Sequence, residues 1–155
     1  MLNELADLIR DFVENRTRLG FPNFSTALVK GYGDLGEPEK GLLLVDEALN
    51  FIEETSEYLM KAELHRLKGQ LLLLQTQSNS EETERWFRTA IDVARGQQAK
   101  SWELRAATSL ARMLSNQHRR DEARMMLGEI YGWFTEGFDT ADLKDAKTLL
   151  DELSR

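Results

Sequence analysis

The sequence lacks cysteine and contains only two prolines, Pro22 and Pro38, in 155 residues. Without cysteine there are no disulfides, thiolate metal ligands or cysteine nucleophiles, which agrees with a cytoplasmic protein. No apolar run approaches the roughly 18 residues that cross a bilayer. The first residues do not follow the pattern of a signal peptide. We therefore expect a cytoplasmic protein that does not insert into a membrane.

Positive charge is also scarce, because 20 Lys and Arg stand against 27 Asp and Glu, for a net charge of −7. An excess of negative charge repels a phosphate backbone, so no nucleic-acid partner is expected. The hydrophobic fraction of 41% and the charged fraction of 30% are typical of a folded globular or helical-repeat protein. A chain of this length can enclose a real interior.

What the sequence does contain is a helical pattern. Leu, Ala, Glu and Arg favour helix nearly throughout, and no alternating strand pattern persists. We predict an all-α fold with about eight helices in one domain, 1–155. The predicted spans are a leading helix in 1–20, helix pairs in 22–55, 57–96 and 99–135, and a capping helix in 139–153.

Small residues recur with a period near that of a helix pair. Ala48 and Ala90 are 42 residues apart, as are Gly69 and Ala111, while Val29 precedes Gly69 by 40. Small side chains let the two helices of a pair cross closely, and large ones fill the space between them. Hairpins that cannot bury a face alone must stack, so the period predicts an α-solenoid.

This pattern of small and large residues resembles the tetratricopeptide repeat in a long-period form of about 40 residues. Four strings narrow the resemblance to one bacterial group: GEPEKGLLLVDEAL, AELHRLKGQLLL, AKSWELRAATSLARML and YGWFTEGFDTADLKDAKTLLDEL. That group is the C-terminal repeat region of large signalling proteins, which carry a nucleotide-cyclase-like or transcription-regulator module and then a predicted ATPase. The resemblance extends from about Leu19 to the end.

The resemblance implies a right-handed superhelix that acts as a non-catalytic scaffold for protein–protein contact, as the regulatory part of a bacterial signalling protein. The chain contains no ATPase or cyclase motif, so no catalytic residue is carried over and neither an enzyme nor a cofactor is expected. The leading helix lacks the helix that should precede it. We therefore expect either a fragment of such a protein or a shortened homologue that exists alone.

In this repeat type the first helix of each pair lines a concave groove, which would bind a protein or peptide partner. The predicted groove residues are Asn23, Thr26, Lys30 and Asp34 in the first pair, Glu63, Arg66 and Gln70 in the second, and Arg105, Thr108, Arg112 and Asn116 in the third. Their cations would hold an acidic peptide by bidentate hydrogen bonds. The alternative is that the arginines pair with nearby acids, of which Glu63 and Glu103 are the nearest in sequence. The carboxylate clamp of chaperone-binding repeats is not evident.

A second hypothesis for function is self-association. If the leading helix is uncovered, it can pair with its copy in a symmetric homodimer. Leu5, Ile9 and Phe12 would then lie in the interface.

Three further patterns are better explained by structure than by chemistry. The string GYGDLG at 31–36 has the spacing of a dinucleotide fingerprint, but it follows a helix and predicts a helix end with a tight turn. His65, predicted to pack within a helix, and His118, predicted in a turn, lack the spacing of a metal-ligand set. Carboxylate pairs such as Glu53–Glu54 are expected on solvated helix faces rather than in acid–base catalysis.

The remaining large side chains are predicted to pack. Aromatic residues lie at the hairpin junctions, where burial in the core or between repeats is favoured over an exposed binding surface. They are Trp86, Trp102, Trp133, Phe134 and Phe138. The last helix carries an apolar face that should cover the open end of the last repeat. That face consists of Leu143, Ala146, Leu149, Leu150 and Leu153.

Overall fold

A computed structural model describes Glu4, residues 20–76 and residues 79–155. Within these ranges the chain is all-helical, with no strand, as the sequence predicts. The described helices are α1 (Phe21–Asp34), α2 (Pro38–Thr55), α3 (Lys61–Leu74), α4 (Ser80–Gly96), α5 (Lys100–Asn116), α6 (Arg120–Tyr131) and α7 (Ala141–Leu153), with a 3-10 turn at Tyr58–Met60. The predicted leading helix lies outside the described residues except for Glu4 and Gly20.

The helix boundaries follow local chemistry. Helix α2 ends at Thr55, the predicted end of the first helix pair. Pro38 presets its first turn, and Ser56, with a left-handed φ of 61°, ends it. The next helix was predicted to begin near Glu57 but begins at Lys61. The left-handed residue and the 3-10 turn that follows it occupy the intervening segment.

By internal contacts the chain divides into two compact units, Met1–Thr83 and Glu84–Arg155. In the first unit, helices α1, α2 and α3 pack against one another. Their buried core contains Phe21, Leu28, Val29, Tyr32, Leu44, Val45, Ala48, Phe51, Ile52, Leu64, Leu67 and Leu71. An edge-to-face contact with centroids 5.1 Å apart joins Phe21 to Phe51 and ties the start of α1 to the end of α2.

The glycine-rich string is a helix end, which confirms its structural interpretation. Gly31 and Gly33 lie inside α1, and Gly36 has a left-handed φ of 70°. The Glu37 N–H donates to the Tyr32 carbonyl at 2.9 Å, closing the turn that leads into α2. A residue with a side chain would strain this turn, because only glycine adopts that backbone conformation freely.

Leu71 of α3 approaches two helical glycines of this unit. A Cβ on Gly41 would lie 2.8 Å from Leu71 Cδ1, whereas a Cβ on Gly33 would lie at an ordinary 3.5 Å from Cδ2. Gly41 therefore allows α2 to approach α3 more closely than any other residue type would. This is the role that the repeat pattern predicts for small residues.

His65 of α3 is buried, with 8% of its surface exposed, which confirms that it is a packing residue. Burial, together with the nearby cations of Lys61 and Lys68, lowers its pKa from 6.5 to about 4. The neutral form is therefore the one that the folded chain holds at neutral pH.

We expect the first unit to lose stability between pH 7.5 and pH 5.5. The unfolded chain protonates its histidine near pH 6.5 while the folded chain resists until about pH 4, so stability is complete above 6.5 and falls as the pH drops. The loss over this window should be about 1 kcal/mol. Urea denaturation followed by circular dichroism measures it. His65→Gln should remove the pH dependence, whereas His118→Gln, at an exposed histidine, should keep it.

In the second unit, α5, α6 and α7 pack against one another, and α4 contributes Phe87, Ala90 and Ile91 to their core. Helix α7 covers α5 and α6, as predicted for a capping helix. Four of its five predicted apolar residues are buried, and Leu150 is half-buried. The small residues Ala111 and Ala123 are fully buried in this core.

Candidate partner-binding groove

The first unit contains an open groove of about 420 Å³ between α1 and α3. Three of the predicted groove residues, Lys30, Asp34 and Gln70, line it. Its other lining residues are Val29, Gly33, Leu67, Leu71, Leu73 and Leu74. We call this surface the α1–α3 groove.

The groove exists because two helices pack on α2 but leave space between their carboxyl-terminal halves. Gly33 contributes no side chain, and a Cβ placed there would lie 3.5 Å from Leu71 and 3.8 Å from Leu74. Val29 and Leu71 are buried and form the floor. The groove is therefore apolar inside and polar at its rim, which is typical of a binding cleft.

Exposed leucines make this surface unusual. Leu73 is 44% exposed and Leu74 is 54% exposed, although both lie beside the buried Leu71 and Leu72. Four consecutive leucines on a helix point in four directions, so a run of this length cannot be buried entirely against one neighbour. That run, at 71–74, is the sequence signal that could have located the groove.

The structure does not bring the other predicted residues of the first unit to this groove. Arg66 is buried and donates two hydrogen bonds to Glu63, each 2.8 Å long, so the pairing alternative is confirmed for this arginine. Asn23, near the start of α1, lines a separate depression of about 490 Å³ with Tyr58 and Leu59.

In the second unit the predicted arginines contact the capping helix. Arg105 Nε donates to Asp142 at 2.8 Å, and Arg112 forms an ion pair with Asp145. These acids belong to α7 and are distant in sequence, so the arginines pair, but not with Glu103. Of the other two predicted residues, Thr108 is buried and Asn116 is exposed. The hydroxyl of Thr108 donates to the Leu104 carbonyl at 2.8 Å.

Glu103 itself is a buried carboxylate that holds two other cations. Arg95 donates to it at 2.6 Å and Lys100 at 2.7 Å. Burial would raise the pKa of Glu103, but the hydrogen bonds from Lys100 and Arg95 outweigh burial and lower it. The carboxylate therefore stays charged and joins the end of α4 to the start of α5.

A second ionic cluster, which the sequence reading missed, joins α4 to the start of α6. Arg119 donates to Glu84 at 2.6 Å and to Glu122 at 2.9 Å, and Arg88 also bonds both acids. The hydrogen bond from Arg119 is the main reason that the pKa of Glu84 is lowered. Each charged group bonds one of opposite sign, so we interpret this cluster as a structural contact between α4 and the start of α6.

The prediction of packed aromatic residues is wrong for two of them. Trp133 is 58% exposed and Phe138 is 47% exposed, whereas Trp86, Trp102 and Phe134 are half-buried. Both rings lie in the loop that follows α6, where Trp133 contacts Phe134 and Phe138 contacts Tyr131. Lys100 Nζ lies 5.6 Å from the centroid of the Trp133 ring, a cation–π contact that covers part of it.

Residues 20–76 and 79–155, with Glu4, contain no group of three or more His, Asp or Glu side chains that could hold a metal ion. No helix in these ranges has both the length and the apolarity to cross a membrane. Leu5, Ile9 and Phe12, the candidate self-association residues, lie outside the described residues, so that hypothesis stays a prediction.

Comparison with protein-family models and with curated proteins gives no match for this sequence.

Proposed function

We propose that this chain is a non-catalytic tetratricopeptide-like scaffold that binds a segment of a partner protein in the α1–α3 groove. The helix pairs, the buried small residues in their cores and the resemblance of the sequence strings support the repeat assignment. The same resemblance supports a role as the regulatory part of a bacterial signalling protein. The groove, with Leu73 and Leu74 exposed beside an apolar floor, is the observation that carries the binding proposal.

The apolar lining determines the kind of partner segment. A leucine-sized side chain that leaves water for such a surface contributes about 1.5–3 kcal/mol. Two leucine-sized anchors on the partner segment, spaced one helical turn apart, are the pattern of an amphipathic helix that binds in a groove. Recognition by a set of arginines is the weaker alternative, because Arg66, Arg105 and Arg112 already bond carboxylates of this chain.

A designed amphipathic peptide, with leucines at helical spacing and neutral polar residues elsewhere, tests the proposal. Labelled peptide should bind saturably in fluorescence anisotropy. Leu74→Gln should weaken binding about tenfold, because it removes roughly one apolar contact. Leu43→Gln is the matched control: Leu43 is 71% exposed on α2 and does not line the groove, so binding should stay unchanged.

Gly33→Phe provides a second test. It removes space from the groove, whereas Leu74→Gln changes the polarity of its lining. Gly33 has an ordinary helical backbone and adjoins the groove, so the ring would enter the space that the peptide needs. Loss of binding with unchanged helicity supports the proposal. The proposal is overturned if the unmodified protein shows no saturable binding, or if Leu74→Gln and Leu43→Gln behave alike.

A further inference from the structure

The two helices that form the α1–α3 groove end at the same place. The groove is lined by 29–34 of α1 and by 67–74 of α3, which are the carboxyl-terminal halves of both helices. The carboxyl end of a helix carries about half a negative charge. Two such ends lie at one end of the groove, where the amino end of α2, whose Gly41 adjoins Leu71, offsets part of their negative charge.

The side chains strengthen this polarity. Neither α1 nor α3, both of which are fully described, has a basic residue in its last turn, where one would offset the dipole. The last residue of α1 is instead Asp34, which lines the groove. Gln75 is already extended, so α3 stops abruptly after Leu74.

Lys30 is the opposing charge, and it lies one helical turn before Asp34 on the same helix. This single cation stands against the carboxylate of Asp34 and the two helix carboxyl ends in the charge balance of the groove. The groove is therefore negative where Asp34 and the helix carboxyl ends lie, positive at Lys30 one turn earlier, and apolar over the rest of its lining.

We propose, building on the groove function above, that the partner segment carries a basic residue next to its apolar anchors and places it against Asp34. The occupant is thus a basic amphipathic segment of another protein. There are two competing outcomes. In one the segment is acidic and binds at Lys30, and in the other only its apolar residues determine binding.

Three peptides distinguish these outcomes. They share the leucine anchors and differ in one flanking residue, which is Lys, Gln or Glu. One series places it after the anchors and a second series before them, so that either orientation can be detected. In the better series the Lys peptide should bind about threefold to tenfold more tightly than the Gln peptide, and the Glu peptide more weakly than both.

Variants of the protein assign the effect. Asp34→Asn should reduce the preference for Lys over Gln. Glu54→Gln removes the same charge from α2 at an exposed residue that does not line the groove, and should leave the preference in place. Raising the salt concentration to 1 M should shrink the preference, because exposed charges are screened. A preference for the Glu peptide, equal affinity for all three, or a preference that survives Asp34→Asn would overturn the inference. Binding that ignores Leu74→Gln and Gly33→Phe would instead overturn the groove function itself.

Discussion

Phe87→Ala should lower the free energy of unfolding of the second unit by about 3–5 kcal/mol. The side chain of Phe87 is fully buried in the core that α4 shares with α5, α6 and α7. Removing the ring loses its transfer free energy and leaves a cavity, which close-packed neighbours fill only in part. All three tryptophans, Trp86, Trp102 and Trp133, belong to this unit, so tryptophan fluorescence during urea denaturation reports on it directly.

Phe138→Ala is the matched control for this loss. It makes the same chemical change in the same unit, but Phe138 is 47% exposed and its main ring contact is Tyr131, with centroids 5.9 Å apart. We expect a change of about 1 kcal/mol or less. If both variants lose the same stability, α4 does not anchor the core as described.

Gly41→Val should destabilise the first unit by about 2–3 kcal/mol. A Cβ at this position would lie 2.8 Å and 3.0 Å from the two methyl carbons of Leu71 and 3.4 Å from Tyr32 Cβ. Leu71 is only 2% exposed, so its methyl groups have little room to move. Because Leu71 also forms the floor of the groove, the variant should weaken peptide binding as well.

The control for Gly41→Val is Gly33→Ala, which should raise the free energy of unfolding instead of lowering it. The new methyl group would meet Leu71 at an ordinary 3.5 Å, and alanine is the better helix former. Stability should therefore rise by about 0.5–1 kcal/mol. Circular dichroism during thermal and urea denaturation measures both variants. A destabilised Gly33→Ala together with a neutral Gly41→Val would contradict the described packing of α3.

The helices are predictable because their signals are local. Pro38 and Gly36 mark the start of α2 and the turn before it, and the apolar spacing identifies the buried face of each helix. The start of α3 was missed because it depends on a left-handed residue, Ser56, that is not a glycine. Serine has no strong preference for this conformation, so the sequence contains no clear signal for it.

The groove was only partly predictable, because its residues depend on contacts between distant parts of the chain. The spacing of Lys30 and Gln70 placed both on the faces of α1 and α3 that line the observed groove. The same reasoning could not foresee that Arg105 and Arg112 would contact α7, whose acids follow more than 30 residues later. Pairing over such distances depends on how the helices pack, which the helical period alone does not determine.

A methyl NMR titration tests the central claim of partner binding most directly. The protein is labelled at its Leu and Val methyl groups, and the leucine peptide with a flanking lysine is added in steps. We predict that the largest shift changes occur at Val29, Leu67, Leu71, Leu73 and Leu74, and that Leu43 stays unchanged. Changes centred on methyl groups elsewhere, or no change at peptide concentrations that saturate the anisotropy signal, would contradict binding in the α1–α3 groove.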